Sequence, residues 1–228
     1  MGEWISVPMR DGHALPVWHV APVGDRKGSL VLVQEIFGVT DHIRECCDEY
    51  AAEGYEVISP ALFDRTKPGF EAGYSGADWE AAVKMGRERH PMEQSLADTS
   101  DCLNWFAAQH LESPLFIMGY CYGGSIAWRM AQTEPAVWGA SCFYGGHIAT
   151  RYADEAPLCA TIAHFGRFDS LVEIAPVEKL IEKQHPTAQI FIYEAGHGFN
   201  SDRRKDYHPP SAELAKARTL QLFKVLAG

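Results

Sequence analysis

The sequence predicts an α/β fold: a doubly wound, mostly parallel sheet with helices on both faces and an antiparallel hairpin at its N-terminal end. Short β-branched and aliphatic runs alternate with segments of helical spacing along most of the chain. A strand at 29–34, a helix after Asp41 and a strand at 55–60 imply a right-handed crossover between parallel strands. Asp11-Gly12, between two strand-like segments, predicts the hairpin turn.

The same alternation predicts the remaining elements. Asp41 is expected to cap its helix, and Pro16 confines the second strand to an edge of the sheet or falls among the first residues of that strand. Residues 61–75 have prolines, glycines and aromatics without periodicity, which indicates a loop beside a pocket. Strands are expected at 4–7, 15–20, 29–34, 55–60, 115–118, 137–144, 158–163 and 188–193, and helices at 41–53, 78–89, 92–110, 125–131, 176–183 and 211–226.

Composition limits the function classes. A chain of 228 residues can form one domain, so we expect a single domain over residues 1–228. A formal charge of −10 argues against binding to nucleic acid, and no apolar run approaches the length of a membrane span. The first residues are acidic and strand-like, so we expect no secretory leader and a cytoplasmic protein. The six cysteines form no CxxC pair, and we expect no zinc site, no disulfides and no cofactor.

Four polar residues follow the predicted buried strands. In doubly wound sheets, functional groups gather at the carboxyl ends of the strands. Glu35 follows the strand at 29–34, Cys121 follows the strand at 115–118, and Asp169 and His197 follow the two later strands. We therefore expect these four side chains at one edge of the sheet.

Cys121 occupies the pattern of a nucleophile elbow. The apolar run breaks at Gly119, presents Cys121, and becomes helical after Gly123 and Gly124. The order cysteine, Asp169, His197 is the chain order nucleophile, acid, histidine that is typical of α/β-hydrolases. The sequence thus predicts a hydrolytic triad.

Proton transfer assigns a role to each residue. A free thiol has a pKa of about 8.5 and is mostly protonated at neutral pH, so Cys121 requires His197 to accept its proton or to stabilise the thiolate. Asp169 would fix the histidine tautomer and stabilise its cation. The backbone N–H groups of Tyr122 and Ile36 are the expected oxyanion-hole donors.

These residues resemble the dienelactone hydrolases (carboxymethylenebutenolidases), cysteine members of the α/β-hydrolase fold. The resemblance extends over nearly the whole chain and rests on four motifs, which are Gln34-Glu35-Ile36-Phe37-Gly38, Gly119-Tyr120-Cys121-Tyr122-Gly123-Gly124, His164-Phe165-Gly166 with Asp169, and Gly196-His197-Gly198-Phe199. It implies Cys121, Asp169 and His197 as the triad. It also implies that Glu35 keeps the resting thiol protonated and helps to release the thiolate when substrate arrives.

The substrate site departs from the family pattern. The family leads us to expect an arginine four residues after the catalytic histidine, where this chain has Ser201. Arg203 and Arg204 are nearby, and a second arginine is expected before the elbow. The candidates for that second position are Arg65, Arg87 and Arg89. His147, after the strand at 137–144, is a further candidate for lining the pocket.

Three classes of function remain open at the level of sequence. The first is a cysteine hydrolase that opens a lactone or cleaves a small ester, with a small molecule as its partner. The second is an esterase, thioesterase or peptidase of other specificity on the same scaffold. The third is a non-catalytic protein that uses Cys121 for redox sensing or binding. Structural roles also compete for single residues: Glu35 as a solvated loop carboxylate, and the arginines as surface cations.

Overall fold

The computed structural model describes residues 2–228, which form an eight-stranded sheet with six helices. The strands are β1 (Glu3–Pro8), β2 (Ala14–Val20), β3 (Gly28–Val33), β4 (Tyr55–Pro60), β5 (Leu115–Tyr120), β6 (Gly139–Phe143), β7 (Ala160–Gly166) and β8 (Ala188–Tyr193). The helices are α1 (Asp41–Ala52), α2 (Gly76–Lys84), α3 (Met92–Gln109), α4 (Tyr122–Thr133), α5 (Ile174–Glu182) and α6 (Pro209–Ala227).

The strand order confirms the predicted fold class. Along the sheet it is β1-β2-β4-β3-β5-β6-β7-β8. β1 with β2 and β2 with β4 are antiparallel, whereas β3 with β4, β6 with β7 and β7 with β8 are parallel. None of the helices in residues 2–228 is long and apolar enough to cross a membrane.

Contacts divide the chain into two compact units, one ending at Phe116 and the other beginning at Ile117, so the boundary in sequence falls within β5. The division leaves the single domain over residues 1–228 as a prediction.

The first unit begins with the hairpin predicted at Asp11-Gly12. Gly12 has φ +86°, and the N–H of Met9 donates to the carbonyl of His13 at 2.8 Å. β2 lies between β1 and β4, so Pro16, its third residue, is near the start of an interior strand rather than on an edge. Of the two placements predicted for Pro16, the structure has the second.

The crossover from β3 through α1 to β4 matches its prediction closely. All six residues of β3 are buried, so both faces of this strand are covered. The prediction that Asp41 caps helix α1 is wrong: Thr40 occupies the N-cap position without a capping hydrogen bond from its side chain, and Asp41 is the first residue of the helix. Gly54, with φ +96°, allows the chain to turn into β4.

The helix expected at 78–89 is wrong in its second half. Regular α-helix ends at Lys84, and a π-helical turn follows at Met85–Arg89. The N–H of His90 donates to the Met85 carbonyl at 3.0 Å, five residues back, which is the π-helical spacing. The wider turn brings Gly86 against Ile36, since a Cβ on Gly86 would lie 2.8 Å from Ile36 Cγ2.

The second unit contains the parallel strands β6, β7 and β8. Helices α4 and α6 both pack on β6, and all five residues of β6 are buried. The strand expected at 137–144 is shorter because Tyr144 has φ +38°, which ends the extended backbone. Asp169 follows β7, and His197 follows β8.

Candidate active site

Cys121 lies at the turn between β5 and α4 with a strained backbone. Its φ is +54° and its ψ is −109°, values that cost free energy in a residue with a side chain. The turn is held from both sides: the Cys121 N–H donates to the Phe143 carbonyl at 2.9 Å, and the Cys121 carbonyl accepts from the Ser125 N–H at 3.3 Å. This geometry is that of a nucleophile elbow, and it leaves the thiol partly exposed.

The glycines around Cys121 are required by close backbone packing. A Cβ on Gly119 would lie 2.3 Å from the Gly123 carbonyl oxygen, and one on Gly124 would lie 2.2 Å from the Phe143 oxygen. Both distances are far below van der Waals contact with rigid backbone. The Gly-x-Cys-x-Gly-Gly pattern is therefore a steric condition for the tight passage from strand to helix.

His197 bridges the thiol and the carboxylate of the predicted triad. Its Nε2 is 3.2 Å from Cys121 Sγ, and its Nδ1 is 2.7 Å from Asp169 Oδ2. The side chain of His197 is 3% exposed and that of Asp169 is 1% exposed. All three residues lie in the second unit, and the structure brings them together in hydrogen-bonding range.

The Asp169 carboxylate is held by the loop that follows β7. While Oδ2 faces His197, Oδ1 accepts from the N–H groups of Leu171 at 2.8 Å and Val172 at 2.9 Å. The N–H of Phe168 donates to the Ala195 carbonyl at 3.0 Å, which ties this loop to the histidine loop. Asp169 can therefore fix the position and tautomer of the imidazole.

The electrostatics of His197 reflect its two partners. Burial alone would lower the pKa of the imidazole, but the charge of a Cys121 thiolate and the hydrogen bonds to Asp169 and Cys121 outweigh it. The pKa of His197 is therefore raised above its ordinary value. An imidazole with a raised pKa is well suited to accept the proton of Cys121 when the thiol reacts.

Tyr144 supports the imidazole and was not anticipated. It follows β6 directly, is fully buried, and holds its ring centroid 5.0 Å from that of His197 in an edge-on contact. Phe199 packs against Tyr144 at 5.4 Å, so an aromatic wall backs the histidine. The available signal was its position after a buried strand, the same criterion that selected Asp169, but the sequence placed Tyr144 inside the strand.

The two predicted oxyanion-hole donors lie on different elements. Tyr122 is the first residue of α4, where backbone N–H groups point out of the helix and favour negative charge. Ile36 lies in the first unit, in a turn closed by a bridge between Glu35 and Gly38. Gly38 has φ +90°, and a Cβ there would lie 2.2 Å from the Phe70 carbonyl oxygen.

The turn that contains Ile36 is buried and is braced by its own unit. Glu35 is 1% exposed, so it is not the solvated loop carboxylate considered from the sequence. The Phe37 carbonyl accepts from the N–H of Ala72 at 3.0 Å, and the Phe37 ring packs 4.5 Å from that of Tyr74. The predicted loop at 61–75 therefore fixes the shape of this turn.

Three arginine candidates lie in the first unit. Arg65 donates two hydrogen bonds of 2.8 Å to the buried Asp98 and pairs with Asp11 at 2.8 Å, and these carboxylates raise its pKa. Its charge is already neutralised, which argues for a structural role and against capture of a substrate carboxylate. Arg87 and Arg89 are exposed on the π-helical turn.

The remaining candidates lie in the second unit. Arg204 lies beside Gly198, the residue after His197: a Cβ on Gly198 would lie 3.0 Å from Arg204 Cζ. Arg203 pairs with Asp202. His147 is partly buried. Its backbone N–H donates at 3.1 Å to the Oγ of Ser125, which lies on the first turn of α4.

Ser201, at the position where the family pattern leads us to expect arginine, is fully buried. Its hydroxyl oxygen has no hydrogen-bond partner in residues 2–228.

The other cysteines are separated from this chemistry. All six cysteines are free thiols, and all except Cys121 are buried. Burial raises the pKa of Cys47, Cys102, Cys142 and Cys159. Within the described chain, no group of three or more histidine, cysteine or acidic side chains is arranged to hold a metal ion.

Comparison with known proteins agrees with the motifs. Residues 15–227 match the model of the dienelactone hydrolase family. A protein of Escherichia coli O157:H7, provisionally named carboxymethylenebutenolidase, is 31% identical over 98% of this chain and 86% of its own length. The carboxymethylenebutenolidase of Pseudomonas sp. strain P51 is 28% identical over 97% of this chain and 94% of its own.

A solved structure extends the similarity to three dimensions. The crystal structure of a protein from Klebsiella pneumoniae, provisionally named dienelactone hydrolase, is 30% identical and covers 98% of both chains with a TM-score of 0.84.

Proposed function

Because the chain belongs to the dienelactone hydrolase family, we propose that it hydrolyses a lactone or a small carboxylic ester through a covalent intermediate on Cys121. The observation that carries this proposal is the position of His197, which contacts Cys121 Sγ at 3.2 Å and Asp169 Oδ2 at 2.7 Å. That geometry supports deprotonation of a thiol by a histidine whose tautomer is fixed.

In the first half of the reaction, Cys121 Sγ attacks the acyl carbon of the substrate. The carbonyl oxygen becomes an oxyanion, for which the N–H groups of Tyr122 and Ile36 are the proposed donors. When the tetrahedral intermediate collapses, the bond from carbon to the ester oxygen breaks. The leaving oxygen takes a proton from His197, and a thioester on Cys121 remains.

In the second half, water hydrolyses the thioester. His197 accepts a proton from the water molecule as its oxygen attacks the acyl carbon. The bond from carbon to sulfur then breaks, the carboxylic acid product leaves, and the thiolate is restored beside the imidazolium. In a lactone, the hydroxyl and carboxyl products belong to one molecule, so the ring simply opens.

Substrate selection is the second part of the proposal. Arg204 lies against Gly198, next to His197, and we propose it as the contact for a substrate carboxylate because of this position. His147 is a further proposed pocket residue. The acidic net charge of −10 and the six free thiols support a cytoplasmic enzyme of small molecules that does not bind nucleic acid.

A substrate panel tests the proposed reaction. Purified protein is assayed with an anionic dienelactone, neutral lactones and short p-nitrophenyl esters, together with Cys121→Ala and, as a control on a buried thiol, Cys159→Ala. We expect kcat/KM to fall by roughly 10³-fold or more in Cys121→Ala only. With a slowly hydrolysed ester, mass spectrometry is expected to detect an acyl group on Cys121.

The outcomes separate the classes of function. Full turnover by folded Cys121→Ala would eliminate the proposed nucleophile. Activity on short esters without activity on the anionic lactone would favour an esterase, thioesterase or peptidase of other specificity. Absence of any turnover, combined with rapid reaction of Cys121 with peroxide, would favour redox sensing. Arg204→Gln is expected to raise KM for the anionic lactone and to leave KM for the neutral esters unchanged.

A further inference from the structure

A groove of about 720 Å³ lies in the second unit and is lined by residues of β7, β8 and α6. It includes Thr161 near the start of β7 and Thr187 just before β8, whereas Asp169 and His197 follow the ends of these two strands. Neither these two residues nor Cys121 lines the groove. It is therefore separate from the proposed catalytic residues.

The lining of the groove is apolar except for one cation and a polar rim. The apolar walls come from Ile162, Pro186, Phe191, Leu222 and Val225. Thr161, Thr187, Gln189 and Gln221 add uncharged polar groups. Arg218 is the one ionisable residue among those that line the groove.

Arg218 is oriented by aromatic contacts rather than by a carboxylate. Its guanidinium carbon lies 4.0 Å from the centroid of the Phe191 ring, and its Nη1 donates to the Tyr193 hydroxyl at 2.9 Å. Neither Nε nor Nη2 donates a hydrogen bond to any described residue. The edge that binds a carboxylate with two parallel hydrogen bonds is thus unused.

Several other arginines of the chain form an ion pair with a carboxylate. Arg26, Arg129 and Arg167 each contact a carboxylate within 2.8 Å. In the described part of the chain, no acidic residue contacts the Arg218 guanidinium or lines the groove. Although the protein has a net charge of −10, the charge of Arg218 is not paired with a carboxylate of the described chain.

Buried hydrogen bonds hold the base of this arrangement in place. The Tyr193 hydroxyl is 2.8 Å from His164 Nδ1, and His164 Nε2 is 3.3 Å from Ser141 Oγ and 3.4 Å from Thr219 Oγ1. His164, Ser141 and Thr219 are fully buried. The position of Arg218 is therefore determined before any ligand binds, which lowers the entropic cost of binding.

We propose that this groove is a binding site for an organic carboxylate with a flat apolar body. The free Nε–Nη2 edge of Arg218 matches the two carboxylate oxygens, and the apolar walls match an aromatic or short aliphatic body. The uncharged rim offers nothing that would attract a second charge, so the site selects monoanions. A neutral analogue loses the ionic contact and keeps only the apolar one.

The probe for this site is 2-naphthoate, with 2-naphthamide as its neutral analogue. Calorimetric titrations use protein whose Cys121 has been alkylated with iodoacetamide, so that binding at the catalytic thiol is blocked. The variants are Arg218→Gln, which removes the guanidinium group, and Ala217→Trp, which fills the groove and keeps the arginine. Arg10→Gln makes the same change of charge on an exposed arginine outside the groove.

We expect the alkylated parent and its Arg10→Gln variant to bind one 2-naphthoate with equal affinity and to bind 2-naphthamide at least tenfold more weakly. Arg218→Gln should weaken binding of 2-naphthoate at least tenfold, and Ala217→Trp should abolish it. Circular dichroism and thermal midpoints establish whether each variant is folded. If Arg218→Gln is not folded, binding by the Ala217→Trp variant tests the proposal. Absence of binding to the alkylated parent at millimolar ligand, or equal binding by a folded Ala217→Trp variant, would overturn the proposal.

Discussion

The imidazole of His197 is held on three sides before any substrate arrives. Asp169 binds Nδ1, Cys121 lies at Nε2, and the ring of Tyr144 packs edge-on against it. Preorganisation of this kind removes the cost of orienting the base during the reaction.

Removal of His197 should change the pH at which Cys121 reacts. In the parent enzyme, His197, whose pKa is raised, can accept the proton of Cys121 as the thiol reacts, so alkylation by iodoacetamide should extend below pH 7. In His197→Ala, alkylation should require a pH near the ~8.5 of an ordinary free thiol. Stopped-flow or mass-spectrometric rates from pH 5 to 10 measure both profiles, with Cys121→Ala as background. Superimposable profiles would show that the histidine does not ionise the thiol.

Replacement of Glu35 tests the role implied by the family resemblance. If its negative charge disfavours a thiolate in the resting enzyme, Glu35→Gln should speed the reaction of Cys121 with peroxide by a few-fold to tenfold at pH 6–7. The control Glu71→Gln removes a partly exposed carboxylate of the same unit that pairs with Arg44. Equal oxidation rates in the parent and in both variants would contradict a guarding role.

Residues that could be predicted from the sequence are defined by short-range interactions. Residues that could not be predicted depend on contacts between distant parts of the chain. Cys121 and His197 stand in short motifs whose glycines fix the local backbone, so a few residues were enough to place them. The role of Tyr144 depends on its φ of +38° and on packing against a loop more than fifty residues later. The ion pairs of Arg65 could not be predicted because its partners, Asp11 and Asp98, lie far from it in sequence.

At the level of elements, the π-helical turn Met85–Arg89 has a clear effect on the first unit. The turn brings Gly86 into contact with the side chain of Ile36, whose N–H is a proposed oxyanion-hole donor. The loop at 61–75 braces the next residue, Phe37, through the N–H of Ala72. Two segments distant in sequence therefore position one short turn.

A methyl group on Gly86 should displace Ile36. Its Cβ would lie 2.8 Å from Ile36 Cγ2 and 3.4 Å from Ile36 Cβ, so the side chain must shift, and we expect the adjoining backbone N–H to move with it. Because complete loss of an oxyanion-hole donor costs about 10²- to 10³-fold in kcat, a shift of that donor should cost roughly tenfold, with little change in KM.

Gly69→Ala is the matched control for Gly86→Ala. A Cβ on Gly69 meets nothing within 4 Å, but its φ of +63° imposes a stability cost of about 1 kcal/mol. Steady-state kinetics and urea unfolding of both variants separate positioning from stability. Equal kcat in the two variants would indicate that Gly86 has no part in positioning the donor.

Element boundaries were predictable where local signals are strong. The strands at 55–60 and 188–193 agree with β4 and β8 to the residue, because each is an apolar run bounded by turn residues. The π-helical turn was not predictable, since its composition is that of an ordinary helix and its wider spacing serves a tertiary contact. The α/β fold class needed only the alternation of elements.

At the scale of the whole molecule, a buried neutral histidine makes stability depend on pH. Burial and the nearby Arg218 cation lower the pKa of His164 to about 3. In the unfolded chain the same imidazole titrates near 6.5. Because the unfolded state binds the extra proton, this histidine contributes stability that is fully present above pH 6.5 and is lost as the pH falls from 6.5 toward 3.

His164→Gln should weaken the acid sensitivity of the fold. Between pH 6.5 and 5, His164 is expected to account for about 2 kcal/mol of lost unfolding free energy. Urea unfolding at pH 7, 6 and 5 measures this loss in the parent and in the variant. His185→Gln, a change at a partly exposed histidine that contacts the Ala153 carbonyl, is the control. A loss of equal size in His164→Gln and in the parent would assign the pH dependence to other groups.

Because five thiols are buried and Cys121 is partly exposed, the number of reactive thiols reports whether the protein is folded. A thiol-specific chromophore should count one equivalent per chain in the native protein and six after complete unfolding. The native count gives the concentration of competent nucleophile in a preparation, independent of any substrate. The increase from one to six reactive thiols per chain, followed over time, measures the fraction of molecules that have unfolded.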